Sequence, residues 1–267
     1  MQHRFDHFFK DFSTALFNPR LWIKLGTIDF SLRYKSTAMG VVWHPLLVLI
    51  KIVVLSTIFS KLLNRNTSEY LPFLCLGIVT WDLISGLMHQ ACVVFIKSAT
   101  YLEQIRCPAA VFVMKALVTE LSGFFLSLTG ASILLWVFSC PIYWSFLPVS
   151  LAGTCVVCLA GACLCYPLGM ACSRFRDLIH ANSSVLRIGF IITPVMWVPN
   201  KALADHPLVY LNPFYHFLKI VRTPLLDGSL PHFSLIVCLE ITFVLVILAV
   251  LVFDRFRFRF LFWSLSK

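Results

Sequence analysis

Charge is scarce in this sequence. Only 13% of its 267 residues are Asp, Glu, Lys or Arg, while 59% are hydrophobic; a soluble domain carries about a quarter charged residues. A mean hydropathy of +0.86 agrees. This excludes a soluble globular chain and assigns the apolar surface to lipid. Acidic groups are especially few, 12 against 22 Lys and Arg, for a net charge of +10. The basic residues fall between apolar blocks, not on one face interleaved with aromatics. Topology and anionic head groups therefore explain them, and nucleic acid is not an expected partner. Also missing are G-x-x-x-x-G-K-[ST], G-x-S-x-G, H-E-x-x-H and any paired Cys/His ligand array. These absences leave no phosphate loop, nucleophile elbow or metal site in the chain. Any ATP-driven work must then fall to another polypeptide, and neither cofactor nor metal is expected here. His44, His89 and His180 suit a membrane transferase by residue type alone.

The first forty residues hold Arg4, Lys10, Arg20, Lys24, Arg33 and Lys35, with no apolar core ahead of a small-residue cleavage site. Insertion by the first true span is expected. Ten cysteines are present, mostly inside apolar stretches. Cys155-x-x-Cys158 has the spacing of a metal or redox pair, but a buried small hydrophobe in a membrane helix is the favoured reading.

Apolar runs predict an all-α polytopic membrane bundle with six spans, at about 40–61, 71–95, 109–139, 146–172, 184–199 and 232–253. Each approaches the roughly 20 residues needed to cross hydrocarbon, the fifth being short. Ahead of them Phe5, Phe8, Phe9, Phe12 and Leu16 recur at helical spacing. Asn18-Pro19 reads as a cap and first-turn proline for a second stripe of Leu21, Leu25, Ile28 and Leu32. Residues 1–39 thus read as two helices lying in the inner membrane interface, or as a docking helix, and 40–267 as the spanning domain. Sixteen Lys and Arg fall on the side of the termini and five on the other. The excess predicts cytoplasmic termini.

Two loops read as structured. Thr100-x-x-Glu103 has capping-box spacing and Pro108 opens the next helix, which predicts a short helix at 101–106. Between spans five and six, Asn212-Pro213 starts a helix of about ten residues carrying Phe214, Phe217, Leu218 and Val221, ended by Pro224 and Gly228. It is either re-entrant or flat on the outer surface. Lys51, Asp82, His89, Lys115, Glu120 and Glu240 are ionisable at membrane depth, so each lines a pathway or pairs between helices. Lys115 and Glu120, five apart, point about 140° away from one another and cannot simply pair together. Aromatics gather at span ends (Trp22, Trp43, Tyr70, Trp136, Trp144, Trp197). Trp81 instead sits mid-span, facing either a sugar ring or a neighbouring helix.

Several landmarks, taken in order, resemble permeases of the ABC-2 type, in the branch that exports polysaccharides such as O-antigen, capsule and teichoic acid. They are Asp29-Phe-Ser-Leu-Arg33-Tyr34-Lys35 through Gly40 and Trp43, Leu76-Gly77 with Trp81, and Arg174-Phe-Arg176-Asp177-Leu178. Thr193-Pro194, Leu211-Asn212-Pro213-Phe-Tyr-His216 and Arg222-Thr-Pro224-Leu225-Leu226 follow. Glu103-Gln-Ile-Arg106-Cys107-Pro108 departs from the family's basic, aromatic stretch ending Phe-Pro. The resemblance implies a homodimer in a bacterial inner membrane, bound to a separate ATPase subunit that holds ATP and Mg2+. It implies a lipid-linked polysaccharide as substrate, with a drug or small-lipid exporter as the alternative. It further implies coupling through Tyr101, Leu102, Glu103, Arg106, Arg174, Arg176 and Asp177. The conduit would involve Trp43, Tyr70, Phe73, Trp81, Lys115 and Glu120. The outer gate, within 203–226, would involve Asn212, Pro213, Phe214, His216 and Arg222.

Overall fold

In a computed structural model the protein is a bundle of α-helices; residues 2–62, 66–104, 107–199, 206–256 and 259 are described. In chain order the helices are α1 (Gln2–Leu16), α2 (Pro19–Leu32), α3 (Trp43–Leu62), α4 (Thr67–Gln104), α5 (Ala109–Val137) and α6 (Leu147–Arg174). These are followed by α7 (Asp177–Ile192), α8 (Pro207–Tyr210), α9 (Pro213–Asp227) and α10 (His232–Phe256). No strand occurs among the described residues.

Five helical segments among them are long and apolar enough to cross a membrane: Gly40–Leu62, Ser68–Ala99, Ala109–Val137, Trp144–Arg174 and His232–Phe256. The interior is organised around α4, whose apolar window is 72% buried, against 22% for α3 and α10. Leu74, Ile78 and Val79 of α4 meet Ile52 of α3, Ala131 of α5, Val157 of α6 and Leu218 of α9 in one cluster. The pronounced apolarity of α3 and α10 therefore serves lipid or another chain, not this core.

The structure corrects three sequence expectations and chooses between the alternatives of a fourth. First, α4 runs unbroken for 38 residues to Gln104, about 57 Å at helical rise. The separate helix expected at 101–106 does not exist as such: nothing between 95 and 104 is Gly or Pro, so Thr100 continues a helix instead of capping one. Second, the expected fifth span at 184–199 is displaced. Helix α7 spans Asp177–Ile192, 16 residues, or about 24 Å, short of the roughly 30 Å of hydrocarbon. Pro194 disfavours helical backbone at Thr193, which is extended at φ −75°, ψ 134°. Third, the helix after Asn212 has 15 residues, not ten. Pro224 lies inside it, and Gly228, left-handed at φ 59°, is the residue that ends it. Of the two placements open for this helix, the structure favours the re-entrant one over the flat one. Ten of its residues are buried, from Tyr215 to Leu225, so it packs inside the bundle as a re-entrant element.

The N-terminal helices are docked and still display apolar surface. Phe8 of α1 lies edge-on to Tyr166 and Phe253, with ring centres 5.1 and 5.8 Å away. Phe9, Leu16, Phe17, Leu21, Ile28 and Leu32 stay exposed. Helix α2 begins at Pro19 as expected, but the Asn18 side chain makes no capping bond. A different residue caps across the fold. The Asp11 carboxylate of α1 accepts hydrogen bonds from the amides of Ala109 and Ala110, at 3.1 and 2.8 Å, at the start of α5. There the free amides and helix dipole favour negative charge. Burial pushes the Asp11 carboxyl up from its ordinary range while the two amides pull it down. Asp11→Ala is expected to cost about 1 kcal/mol, read as a lower unfolding temperature in detergent. Asp11→Asn, which keeps one acceptor, is expected to lose less.

Candidate functional site

Four separated parts of the sequence converge on the short turn after α7. Three residues of this turn are each bonded by a different side chain, and the fourth is closely approached. The Asn212 amide donates to Thr193 Oγ1 at 2.8 Å, and the Arg222 guanidinium donates to the Pro194 carbonyl at 2.9 Å. Gly77 lies so close to the Val195 carbonyl that a β-carbon there would stand 2.8 Å from its oxygen. The Tyr70 hydroxyl donates to the Met196 carbonyl. Thr193 and Val195 have no exposed surface. The turn's carbonyls have no helical partners, and in an apolar interior such groups must be paired. Side chains of α4 and α9 meet that requirement.

Asn212 also accepts from the Phe214 amide at 3.0 Å, so one side chain both caps α9 and ties it to α7. His216 is buried, with Nε2 2.8 Å from the Tyr210 carbonyl and Nδ1 3.1 Å from the Ser234 hydroxyl. A carbonyl only accepts, so Nε2 carries the proton and Nδ1 accepts from Ser234. Arg222 is 5% exposed and lies 3.9 Å from the centre of the Phe73 ring. No carboxylate forms an ion pair with it among the described residues; its charge is met by a ring face and a carbonyl. Trp81 packs between Phe190 and Phe214 at 5.6 and 5.5 Å. Tyr70, Phe73 and Trp81 thus pack within the chain around this turn. Trp43, at the start of α3, is exposed.

Four of the six ionisable groups at membrane depth are paired with groups from elsewhere in the bundle. Lys51 meets Asp82 at 3.3 Å, Lys115 meets Asp29 at 3.2 Å, and Glu120 meets Arg33 at 2.9 Å. Glu120 also accepts from Gln90 at 2.9 Å. Lys115 and Glu120, which cannot reach each other, are both satisfied from the N-terminal segment, by Asp29 and Arg33 four residues apart. Gly26 allows this docking: a β-carbon there would meet the Val118 side chain at 2.6 Å. Asp29 and Arg33 carried a signal for this role in their i, i+4 spacing, but their partners were not readable. Reversing Lys115→Asp should destabilise the protein, and adding Asp29→Lys should restore it. A coupling of about 0.5–1 kcal/mol is expected for partly exposed groups, read in a double-mutant cycle. His89 and Glu240 are exposed and form no ion pair among the described residues.

At the opposite end, α6 stops at Arg174 and α7 starts at Asp177. Arg174, Phe175, Arg176 and Asp177 are all exposed. So is Tyr101, in the last turn of the long α4. Helix α4 includes Leu102 and Glu103, whose side chains, like all of Arg106, lie outside the described residues. Phe175, 59% exposed, stands out beside the expected coupling residues. The Arg174 guanidinium lies 5.4 Å from the centre of its ring.

No protein-family model matches the chain. Curated relatives do. One is the "O-antigen export system permease protein RfbA" of Myxococcus xanthus, 25% identical over 217 residues, 79% of this chain and 82% of that protein. Another is the protein of the same name from Klebsiella pneumoniae, 22% identical over 237 residues, 87% of this chain and 90% of that protein. The chain is a relative of these export permeases. The resemblance read from its ordered landmarks is borne out. Some of these landmarks meet in space: Gly77, Thr193-Pro194, Asn212 and Arg222 come together around one turn. The described residues form an all-α bundle built on helices apolar enough to span a membrane.

Proposed function

We propose that this chain is the membrane subunit of an ATP-driven exporter of the ABC-2 type, moving a lipid-linked polysaccharide of the O-antigen class across the bacterial inner membrane. The observation that carries this reading is similarity along most of both chains to permeases of O-antigen export systems. The chain works as a homodimer with a separate subunit that binds ATP and Mg2+, and performs no covalent chemistry itself. Helix α7, too short to cross alone, together with the turn after it forms the fifth passage, and both termini lie in the cytoplasm. The long end of α4 and the Arg174–Asp177 loop receive the movement of the ATPase. Rigid helices pass it to the turn at 193–196 and to α9, which gate the outer side. Lipid-facing α3 and α10 leave apolar surface for bilayer and second protomer.

Deleting the gene in its host is expected to remove surface polysaccharide and to accumulate lipid-linked glycan on the cytoplasmic side; a plasmid copy restores export. An unchanged glycan profile would overturn the substrate class and favour a drug or small-lipid exporter. Within this reading, Arg176→Ala is expected to lower export at least about tenfold, a cost of about 1.4 kcal/mol in coupling. ATP hydrolysis by the reconstituted complex should persist, since the lesion separates motor from conduit. Normal export at normal abundance would remove Arg176 from the coupling surface.

A further inference from the structure

The ends of α6 and α10 that lie on the same side of the bundle enclose a cleft of about 470 Å³, lined by Pro167, Met170, Ala171, Arg174, Phe175, Val252, Phe256 and Arg259. It lies apart from the turn at 193–196 and from the ion pairs of α2. Its chemistry changes with depth. Arg174 is the last residue of α6, and Arg259 follows the end of α10 by three residues. Met170 and Pro167 lie one and two turns deeper along α6, Val252 one turn deeper than Phe256 along α10. The rim is thus cationic, and the walls below it, for about 10 Å, are wholly apolar. No carboxylate lines it among the described residues. Both helices are long and apolar enough to span, which sets the rim where hydrocarbon gives way to water.

We infer that this cleft is a binding site for an anionic phospholipid of the leaflet at that end of the bundle. The phosphate sits between Arg174 and Arg259, and an acyl chain lies along Met170, Pro167 and Val252. The match is one of charge and polarity together. A guanidinium pair holds a phosphate in paired hydrogen bonds, and basic pockets between spans on the cytoplasmic side suit anionic head groups. The apolar depth selects a lipid over a free phosphate, which would gain nothing from it. Because Arg174 and Phe175 belong to the exposed α6–α7 loop, an occupant would hold that loop against α10. The site stands whether or not the exported substrate is a polysaccharide.

The test uses the full chain in nanodiscs of equal parts phosphatidylcholine and phosphatidylglycerol, released into the gas phase for native mass spectrometry. The unaltered protein is expected to retain phosphatidylglycerol over phosphatidylcholine, and R174Q/R259Q to lose about tenfold of that retention while its phosphatidylcholine count stays the same. Met170→Trp, which fills the cleft and leaves both arginines, should lower phosphatidylglycerol retention as well. It decides the matter if the arginine variant does not fold, as judged by size-exclusion profile and helicity. Soluble glycerophosphoglycerol should not compete. Retention indifferent to head group, or equal in the unaltered and filled proteins, would overturn the site and leave the cleft as a surface for protein.

Discussion

Gly153→Val is expected to abolish export and to lower the unfolding temperature by the largest amount of any single change considered. Pro224 has no amide hydrogen, so the carbonyl four residues before it, that of Ile220, lacks its helical donor. That carbonyl points into α6 at the only kind of residue that admits it. A β-carbon on Gly153 would stand 2.7 Å from the Ile220 oxygen and 3.1 Å from its carbonyl carbon. Both are backbone atoms of a packed helix and cannot swing aside. One turn away, the Ser150 hydroxyl donates to the Val221 carbonyl at 2.7 Å. Small residues that let backbones touch are how helices associate in lipid, where apolar burial supplies no driving force. Overpacking here should cost about 1–3 kcal/mol and push α9 away from α6. The checks are export by the variant strain and thermal unfolding of the purified protein. Ser150→Ala, which removes only one hydrogen bond, should cost about 0.6 kcal/mol and keep export. A Gly153→Val protein that exports normally would show that α9 need not hold this position.

The second large effect is expected at Arg222, and there stability and function should part. Replacing the buried cation with leucine leaves the Pro194 carbonyl unpaired, which costs about 1–3 kcal/mol. It also removes a charge whose burial is itself costly, and the two effects oppose one another. The net change in stability of Arg222→Leu should therefore stay within about 1 kcal/mol. Export should nevertheless fall at least about tenfold, because the turn after α7 is then tied to α9 through Asn212 alone and follows its movement less closely. Arg222→Lys keeps the charge but not the planar fork that bridges the Phe73 ring and a carbonyl, so partial export is expected. A folded Arg222→Leu protein with full export would make the residue a packing element and nothing more.

The two variants differ in what the sequence discloses about them. Arg222 stood out at once, an arginine in an apolar segment within a recognisable string. Gly153 did not, since a glycine in a membrane helix is common and its importance rests on Pro224, 71 residues later. The ion pairs show the same division. The geometry of one helix was enough to separate Lys115 from Glu120, but finding Asp29 and Arg33 required knowing that α2 lies along α5. The expected break before residue 101 failed because a capping-box spacing is also what an uninterrupted helix displays. Phe175 was passed over because one aromatic in a basic loop has no periodicity to mark it.

By itself the sequence determined the solvent of this protein, its helical class, most of its spans and its kinship with export permeases. Those follow from apolar run length and from the order of short landmarks, both properties of neighbours along the chain. Only the tertiary structure decided that α9 enters the bundle, that Lys51, Asp82, Lys115 and Glu120 at depth are paired, and that Tyr70, Gly77, Asn212 and Arg222 converge on a single turn. Those depend on which unpaired carbonyl meets which donor, and helices far apart in sequence supply the two sides.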